Sequence, residues 1–405
     1  MNHPIAEIFS QGEEVITGQV VDTNAAWLSE KLVQMGFVVS RHTVVGDKLQ
    51  DLVDLLQEIS SRADFCICTG GLGPTLDDLT AEAVALAFST PLQMDSVALD
   101  NIARYFSNRN RTMVDTNKKQ AMLPAGSIRL DNLSGTAPGF ALQNKRCWFV
   151  FVPGVPSEMK QMFNIEIKPK LEQQFTLQTD RLIIIKTIGI GESELQEKLN
   201  DFSLPQNVQL SFRASPSEVQ TKLLFPANIA ETTLKNCVSQ LLKILGDVVF
   251  AVDELNKSNT ELVDVVDQLM KEKKQTLAVI ETLSQGLIAA KCVGKDWLLA
   301  SYFEQIPHID KQDDISEIAE AMAKKLRKSQ NSDLILLQLP LGNTRHFHDK
   351  EQSIILYNIL IAPHQIVQKS ITVVGSITRK QNQAAIKALD FLRKTLQTNA
   401  FNTTQ

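Results

Sequence analysis

The chain has 405 residues, 43% of them hydrophobic and 21% charged, a balance that excludes a disordered or fibrous protein and leaves room for two or three domains. Its 41 basic and 46 acidic residues give a net charge of -5, without the basic excess expected of a nucleic-acid-binding chain. No apolar run of about 18 residues occurs, so no transmembrane helix is expected. The first residues lead into an apolar strand, with neither a basic leader nor a small-residue cleavage site. Cys66, Cys68, Cys147, Cys237 and Cys292 form no CxxC pair and no disulfide-like framework. The expectation is a soluble, cytoplasmic, multidomain protein without a membrane or nucleic-acid partner.

In chain order, Ile5–Phe9 reads as a short strand, followed by a loop rich in Gly and Glu. Asp22 and Thr23 offer N-caps to a helix with Ala25, Leu28, Leu32 and Met35 on its apolar side, and Gly36 stops it. Phe37–Val45 is a second strand, and Leu49, Leu52, Leu55, Leu56 and Ile59 keep helical spacing. Asp64–Thr69 reads as a buried strand, with a helix expected from about Asp77 and another from about Ser96. After a long connection come a strand, Cys147–Val152, and a helix from Ser157. Strands separated by helices predict βαβ units and a doubly wound, mostly parallel sheet over residues 1–172. Beyond a polar stretch, residues 178–255 read as a small α+β module, and 256–400 as a further α/β domain.

The segment that carries most chemistry runs from Thr69 through Gly70, Gly71, Leu72, Gly73, Pro74 and Thr75 to Asp77 and Asp78. Glycines between a buried strand and a helix let backbone amides approach an anion, and the helix dipole adds to the attraction. Asp77 and Asp78, placed at the expected helix start, suit that dipole or a divalent cation bridging to phosphate. The segment is neither a P-loop nor a GxGxxG, and alone it equally describes an acidic strand–helix turn.

Three more loops share its position. Glu13 and Glu14 lead to Asp22, Thr23 and Asn24; residues 132–140 hold Ser134, Gly135 and Thr136; Pro153 to Glu158 includes Ser157. In an open parallel sheet, loops at the carboxyl ends of strands meet in one crevice where ligands bind. Lys118, Lys119, Arg109 and Arg111 supply cations that would balance phosphate charge.

These residues carry a resemblance. GEEVITGQVVDTN, TGGLGPTLDDLT, NKKQAMLP, GTAPGF and PGVPSEM, in that order over the first 165 residues or so, resemble the CinA family (competence/damage-inducible protein A). The segment is also similar to the molybdopterin-binding domain of molybdenum-cofactor enzymes, whose glycine loop ends in an acidic residue matching Asp78. The resemblance implies metal-dependent hydrolysis of ADP-ribose to AMP and ribose 5-phosphate, and a homodimer. GIGESELQEKL and FRASPSEVQ resemble the family's KH-like module, but residues 181–253 hold no GxxG loop for RNA.

The resemblance further implies a C-terminal nicotinamide-nucleotide amidase opening on a signature close to AESCTGGLIA. Here the run is Ile280-Glu281-Thr282-Leu283-Ser284-Gln285-Gly286-Leu287-Ile288-Ala289, with Leu283 in the cysteine's place. Where the family has a TGIAGP-type loop, Leu337 to Gly342 lacks the threonine and most glycines. Arg379 matches an arginine before the last helix. The expectation is a retained fold whose amide hydrolysis is lost.

Other groupings carry less. Cys66 and Cys68 lie on one face of a strand and read as small hydrophobes. His346 and His348 lack the further ligands a zinc site needs.

The reading on these grounds is a pyrophosphatase acting on ADP-ribose or a related nucleoside diphosphate sugar, dependent on a divalent metal ion. Asp78, Asp77 and Glu158 are its candidate catalytic groups, with Asp78 and Asp22 as metal ligands. Thr69, Gly70, Gly71, Gly73, Thr75, Asn24, Lys119, Gly135, Thr136 and Ser157 would bind phosphate or nucleotide. The rival is a non-catalytic protein holding a nucleotide or pterin in the same crevice.

Overall fold

A computed structural model of the chain describes residues 3–398 apart from 256, 305–308, 310–313, 328–330, 342–346 and 364. His346 and Gly342 therefore lie outside the described residues. The chain divides into two compact units, with the boundary between Asp180 and Arg181.

In the first unit, β1 (Ile5–Gln11), α1 (Glu13–Ile16), α2 (Thr23–Met35), β2 (Val38–Val45), α3 (Leu49–Arg62) and β3 (Phe65–Thr69) follow one another. Then come α4 (Thr80–Ala87), β4 (Leu92–Met94), α5 (Ser96–Ser107), a 3-10 turn at Asp115–Ala121, β5 (Met122–Pro124) and β6 (Ile128–Leu130). The unit closes with β7 (Gly139–Asn144), β8 (Cys147–Val152), α6 (Pro156–Met162) and α7 (Lys168–Gln174). Its main sheet has the order β2-β1-β3-β8-β7-β6. The first four strands are parallel, and β7 and β6 pair antiparallel at the edge.

The two-residue period of the strands divides the core into two layers. Phe65, Ile67, Trp148, Val150 and Val152 pack under α2 and α6, whereas Cys66, Cys68, Phe149 and Phe151 pack under α3 and α4. A strand buried on both faces reads as an unbroken apolar run, as β3 and β8 do. Burial pushes the Cys66 and Cys68 thiols up, as expected of small core residues.

One expected boundary is corrected. The helix expected from Asp77 begins at Thr80, because the Asp78 carboxylate folds back onto Thr75 N at 2.8 Å and onto the Thr75 hydroxyl. That closes a separate turn, so Asp77 and Asp78 belong to the loop rather than to the first helical turn. The short strands β5 and β6 and the strand β7, which pairs with β8 as a hairpin, fill what reads in sequence as a long connection, and β4, ahead of α5, pairs with β5.

The second unit opens with β9 (Arg181–Thr187), α8 (Glu192–Leu199), β10 (Gln209–Ala214), β11 (Val219–Phe225), α9 (Glu231–Leu245) and β12 (Val249–Glu254). These form an antiparallel sheet of order β10-β11-β9-β12, covered by α8 and α9 through Leu195, Leu199, Leu234 and Leu241. Next come α10 (Leu262–Lys273), β13 (Leu277–Glu281), α11 (Leu287–Lys291), β14 (Leu298–Phe303), α12 (Ile315–Arg327), β15 (Leu334–Leu341), β16 (Ile354–Ile361), β17 (Ile366–Val373) and α13 (Ile377–Gln397). Their sheet has the order β14-β13-β15-β16-β17, and β14 has no counterpart in the sequence reading.

The residues read as second and third domains share a core. Ile188 and Phe250 pack on Ile386 of α13. From the same helix, the buried Arg393 donates to Asp247 O at 2.8 Å and Val249 O at 3.1 Å. The sheet also holds an ion pair between Lys186 and Asp253 at 2.9 Å, with side chains 4% and 1% exposed. Breaking a buried pair leaves one charge uncompensated. Lys186→Met is therefore expected to cost about 3 kcal/mol in a urea unfolding curve.

The pH dependence follows from Asp253. Burial pushes its carboxyl up, but hydrogen bonds from Lys186 and Thr260 outweigh that and hold it below the usual carboxylate range. A depressed folded value contributes stability at neutral pH that is lost as pH falls below about 4. The acid-side loss should be shallower in Lys186→Met, and an identical slope in the two proteins would refute the assignment.

Candidate functional site

The register of the first sheet places four loops at one end. Parallel β1, β3 and β8 deliver the loops after Gln11, Thr69 and Val152 there. Antiparallel β7 begins beside the end of β8, so the loop at 131–138 arrives at the same edge.

The glycine loop is the centre of this arrangement. Gly70 has φ +106°, and a Cβ there would lie 2.3 Å from the backbone oxygen of Gln11. A side chain at Gly71 would meet Gln11 Oε1 and the Thr80 hydroxyl, and its φ is +66°. The backbone fits only because these positions are bare. Gly70→Ala is expected to destabilise the first unit by about 2 kcal/mol, measured as a shift in its chemical unfolding midpoint. An unchanged midpoint would show that the loop relaxes freely.

The structure gathers the candidate residues into three groups. In the first, Lys119 comes from the 3-10 turn to donate to Thr75 O at 2.9 Å and sits 3.5 Å from Glu82. Gln120 Nε2 reaches Leu72 O. Gly71, Gly73, Asp78, Lys119 and Gln120 thus line one pocket, whose floor is apolar through Leu92, Leu123 and Phe140. Asp77 is exposed beside it, and the Thr75 hydroxyl next to it holds its carboxyl below the usual range.

In the second group, Asn24 Nδ2 donates to Thr69 Oγ1 at 3.1 Å and to Gly154 O at 2.7 Å. Its Oδ1 is buried without a hydrogen-bond partner. Asp22 caps α2 through Ala25 N at 2.8 Å and accepts from Ser10 Oγ at 2.6 Å. The third group is Glu158, which accepts from Asn132 Nδ2 at 2.7 Å and lies where a Gly135 side chain would fall. Thr136 lines a neighbouring cleft, and Ser157 is exposed at the start of α6. Arg111 is exposed.

Gln11 has no place in the sequence reading, yet it ties three loops. Its Nε2 donates to Asp47 at 3.0 Å and to Asp77 O at 3.1 Å, and its Oε1 accepts from the buried Thr80 hydroxyl. A polar residue closing an apolar strand was the available signal.

Among the described residues no three His, Cys, Asp or Glu side chains gather as a metal-binding group. A hard divalent ion is commonly held by one or two carboxylates and substrate phosphates. Asp78, in the glycine-loop pocket, is a single carboxylate that suits this mode, whereas Asp22 and Asn24, the other expected ligands, belong to the second group and do not line that pocket.

Comparison with known proteins matches this site to a family. Residues 7–173 match the model described as probable molybdopterin binding domain, and residues 184–251 that of the damage-inducible protein CinA KH domain. A CinA-like protein of Escherichia coli is 39% identical over 285 residues, 70% of either chain. One of Shewanella piezotolerans is 36% identical over 288 residues, covering 71% of this chain and 67% of that one. The chain belongs to the CinA-like protein family.

Among solved structures, the CinA protein of Thermoplasma acidophilum, titled as of unknown function, is 29% identical, with a TM-score of 0.39. It covers 43% of this chain and 98% of its own. The tungsten cofactor synthesizing protein MoaB of Pyrococcus furiosus is 18% identical at a TM-score of 0.29, over 43% and 95%.

Within this CinA-like protein, the altered signature in the second unit forms a closed polar cluster. Glu281, fully buried, accepts from Ile288 N at 3.1 Å, Ala289 N at 2.9 Å, Ser284 Oγ at 2.6 Å and Ser301 Oγ at 2.9 Å. Ser284 Oγ lies equally near Gln338 Oε1, and Thr282 Oγ1 donates to Gln338 O at 2.9 Å. Glu281, Thr282, Leu283, Ser284 and Gln338 are all solvent-inaccessible. His348 and Arg379 are exposed. Among the described residues no helix is long and apolar enough to cross a membrane.

Proposed function

We propose that the first unit is a divalent-metal-dependent pyrophosphatase for ADP-ribose or a related nucleoside diphosphate sugar. The observation that carries this reading is the meeting of the bare glycine loop, Asp78 and Lys119 around one pocket at the carboxyl end of the sheet. The apolar floor suits a nucleobase, and the amides of Gly71 and Gly73 suit phosphate oxygens. Lys119 offers its ammonium to the same phosphates, at the cost of its bond to Thr75 O. Water adds across one P–O bond of the pyrophosphate, giving AMP and ribose 5-phosphate, and the two new phosphomonoesters release two protons as both become dianions. Asp78, together with the substrate's own phosphates, would hold a divalent ion, which would polarise the phosphoryl group and lower the pKa of the attacking water. Glu158 stands at the far loop as a candidate proton acceptor, positioned by Asn132.

The second unit, on this reading, has lost nicotinamide-nucleotide deamidation. Burial of Glu281, Thr282, Leu283 and Ser284 supports that, because a serine with no solvent access meets no substrate, although Gln285, the next residue of the run, is exposed. Ammonia release from nicotinamide mononucleotide would overturn it. The hydrolase is tested by incubating the protein with ADP-ribose and a series of divalent ions and measuring AMP. Absence of product with every ion defeats the proposal, and tight nucleotide binding without turnover would favour the non-catalytic binding protein.

A further inference from the structure

Next to the glycine-loop pocket lies a second cleft, between α5 and the loop at 131–138. Pro138 lines both, so one wall separates and joins them. Asn101, Arg104, Tyr105 and Asn108 contribute from one face of α5 and its C-cap, at the spacing that aligns helical side chains. The Arg109 guanidinium lies over the Tyr105 ring, 3.6 Å from its centroid, which fixes a flexible side chain in one orientation. Arg109 and Arg104 otherwise donate to backbone oxygens and to Asn101. Among the described residues neither is within ion-pair distance of a carboxylate. The carboxylate that does line the cleft, Asp131, is neutralised by Arg129 at 2.7 Å. The cleft thus keeps two uncompensated positive charges in a concave, amide- and hydroxyl-lined surface that includes Thr136.

We propose that this cleft binds the sugar-phosphate half of the substrate, with the guanidinium groups on its phosphate and the amide and hydroxyl groups on its ribose. A guanidinium fork matches a phosphate's oxygens, and neutral amides match hydroxyls as donor and acceptor at once. The orientation rests on the hydrolase reading, since it assigns the nucleobase to the apolar pocket and the departing ribose 5-phosphate to the arginine cleft. Binding itself needs no turnover.

The test is titration of the full chain with ribose 5-phosphate by calorimetry. The expected result is saturable binding, weakened at least about tenfold in Arg104→Gln/Arg109→Gln, from the charge-assisted bonds lost. Lys168→Gln, which removes an exposed charge paired to Glu172 on α7 outside the cleft, should leave the Kd unchanged. The double variant alters exposed side chains, and an unchanged thermal midpoint verifies its fold. Absence of saturable binding, or an equal Kd in the double variant, overturns the proposal. If ADP-ribose is not hydrolysed with any ion while the arginine-dependent binding is present, the hydrolase reading fails and the cleft stands.

Discussion

Glu281→Ala is expected to lower the stability of the unit beginning at Arg181 by about 4 kcal/mol. Its side chain satisfies two backbone N–H groups at the start of α11 and two serine hydroxyls. Each orphaned buried donor costs about 1–3 kcal/mol, and the vacated volume adds a cavity term. Not all four donors fail together, because Ser284 has Gln338 as a second acceptor. Urea unfolding measures the sum. Glu281→Gln should fall between, since the amide keeps one acceptor oxygen but brings a donor into a cluster of donors. A loss below about 1 kcal/mol for the alanine variant would mean that water replaces the carboxylate. The site would then be open, against the proposal that this unit has lost its substrate access.

Asp78→Ala should reduce ADP-ribose hydrolysis about 100- to 1000-fold, the range seen when a charged or polar group acting on a transition state is removed. The alanine variant alone is ambiguous, because Asp78 also closes the turn on Thr75. Asp78→Asn separates the roles: the amide oxygen still accepts from Thr75 N, but the negative charge is gone. Loss of turnover in Asp78→Asn with an unchanged unfolding midpoint assigns the effect to charge. Asp77→Ala provides the contrast, since this carboxylate is exposed and lines neither pocket. Its loss should change the rate only a few-fold, about 1 kcal/mol or less in the barrier. Equal losses at positions 77 and 78 would contradict the placement of the pocket. AMP formation at saturating ADP-ribose, with the ion that gives the highest wild-type rate, is the readout throughout.

Much of the first unit was legible because its signals are local. The apolar runs of β3 and β8, the spacing of Leu52, Leu56 and Ile59 in α3 and the Asp22 cap of α2 all report on chain neighbours. Strands of three residues, such as β4, β5 and β6, carry too few side chains for a period and exist by virtue of their partners. β14 was missed for a related reason, as an edge strand with alternating half-buried and exposed residues beside a glycine turn.

The sequence by itself determined the strand and helix periods, the glycine loop and the chemical types at the carboxyl end of the sheet, since these follow from residue sterics and local spacing. It also exposed the altered amidase signature, as residue identity needs no coordinates. Tertiary structure decided which of those residues meet. Lys119 reaches Thr75 across 44 positions, Asn24 reaches Thr69 across 45, and Arg393 reaches Asp247 across 146. Whether Asp78 starts a helix or closes a loop turns on its bond to Thr75, and whether Ser284 meets solvent or fills a core position turns on burial. Long-range packing sets both, and a single sequence records it only as residue types that tolerate either outcome.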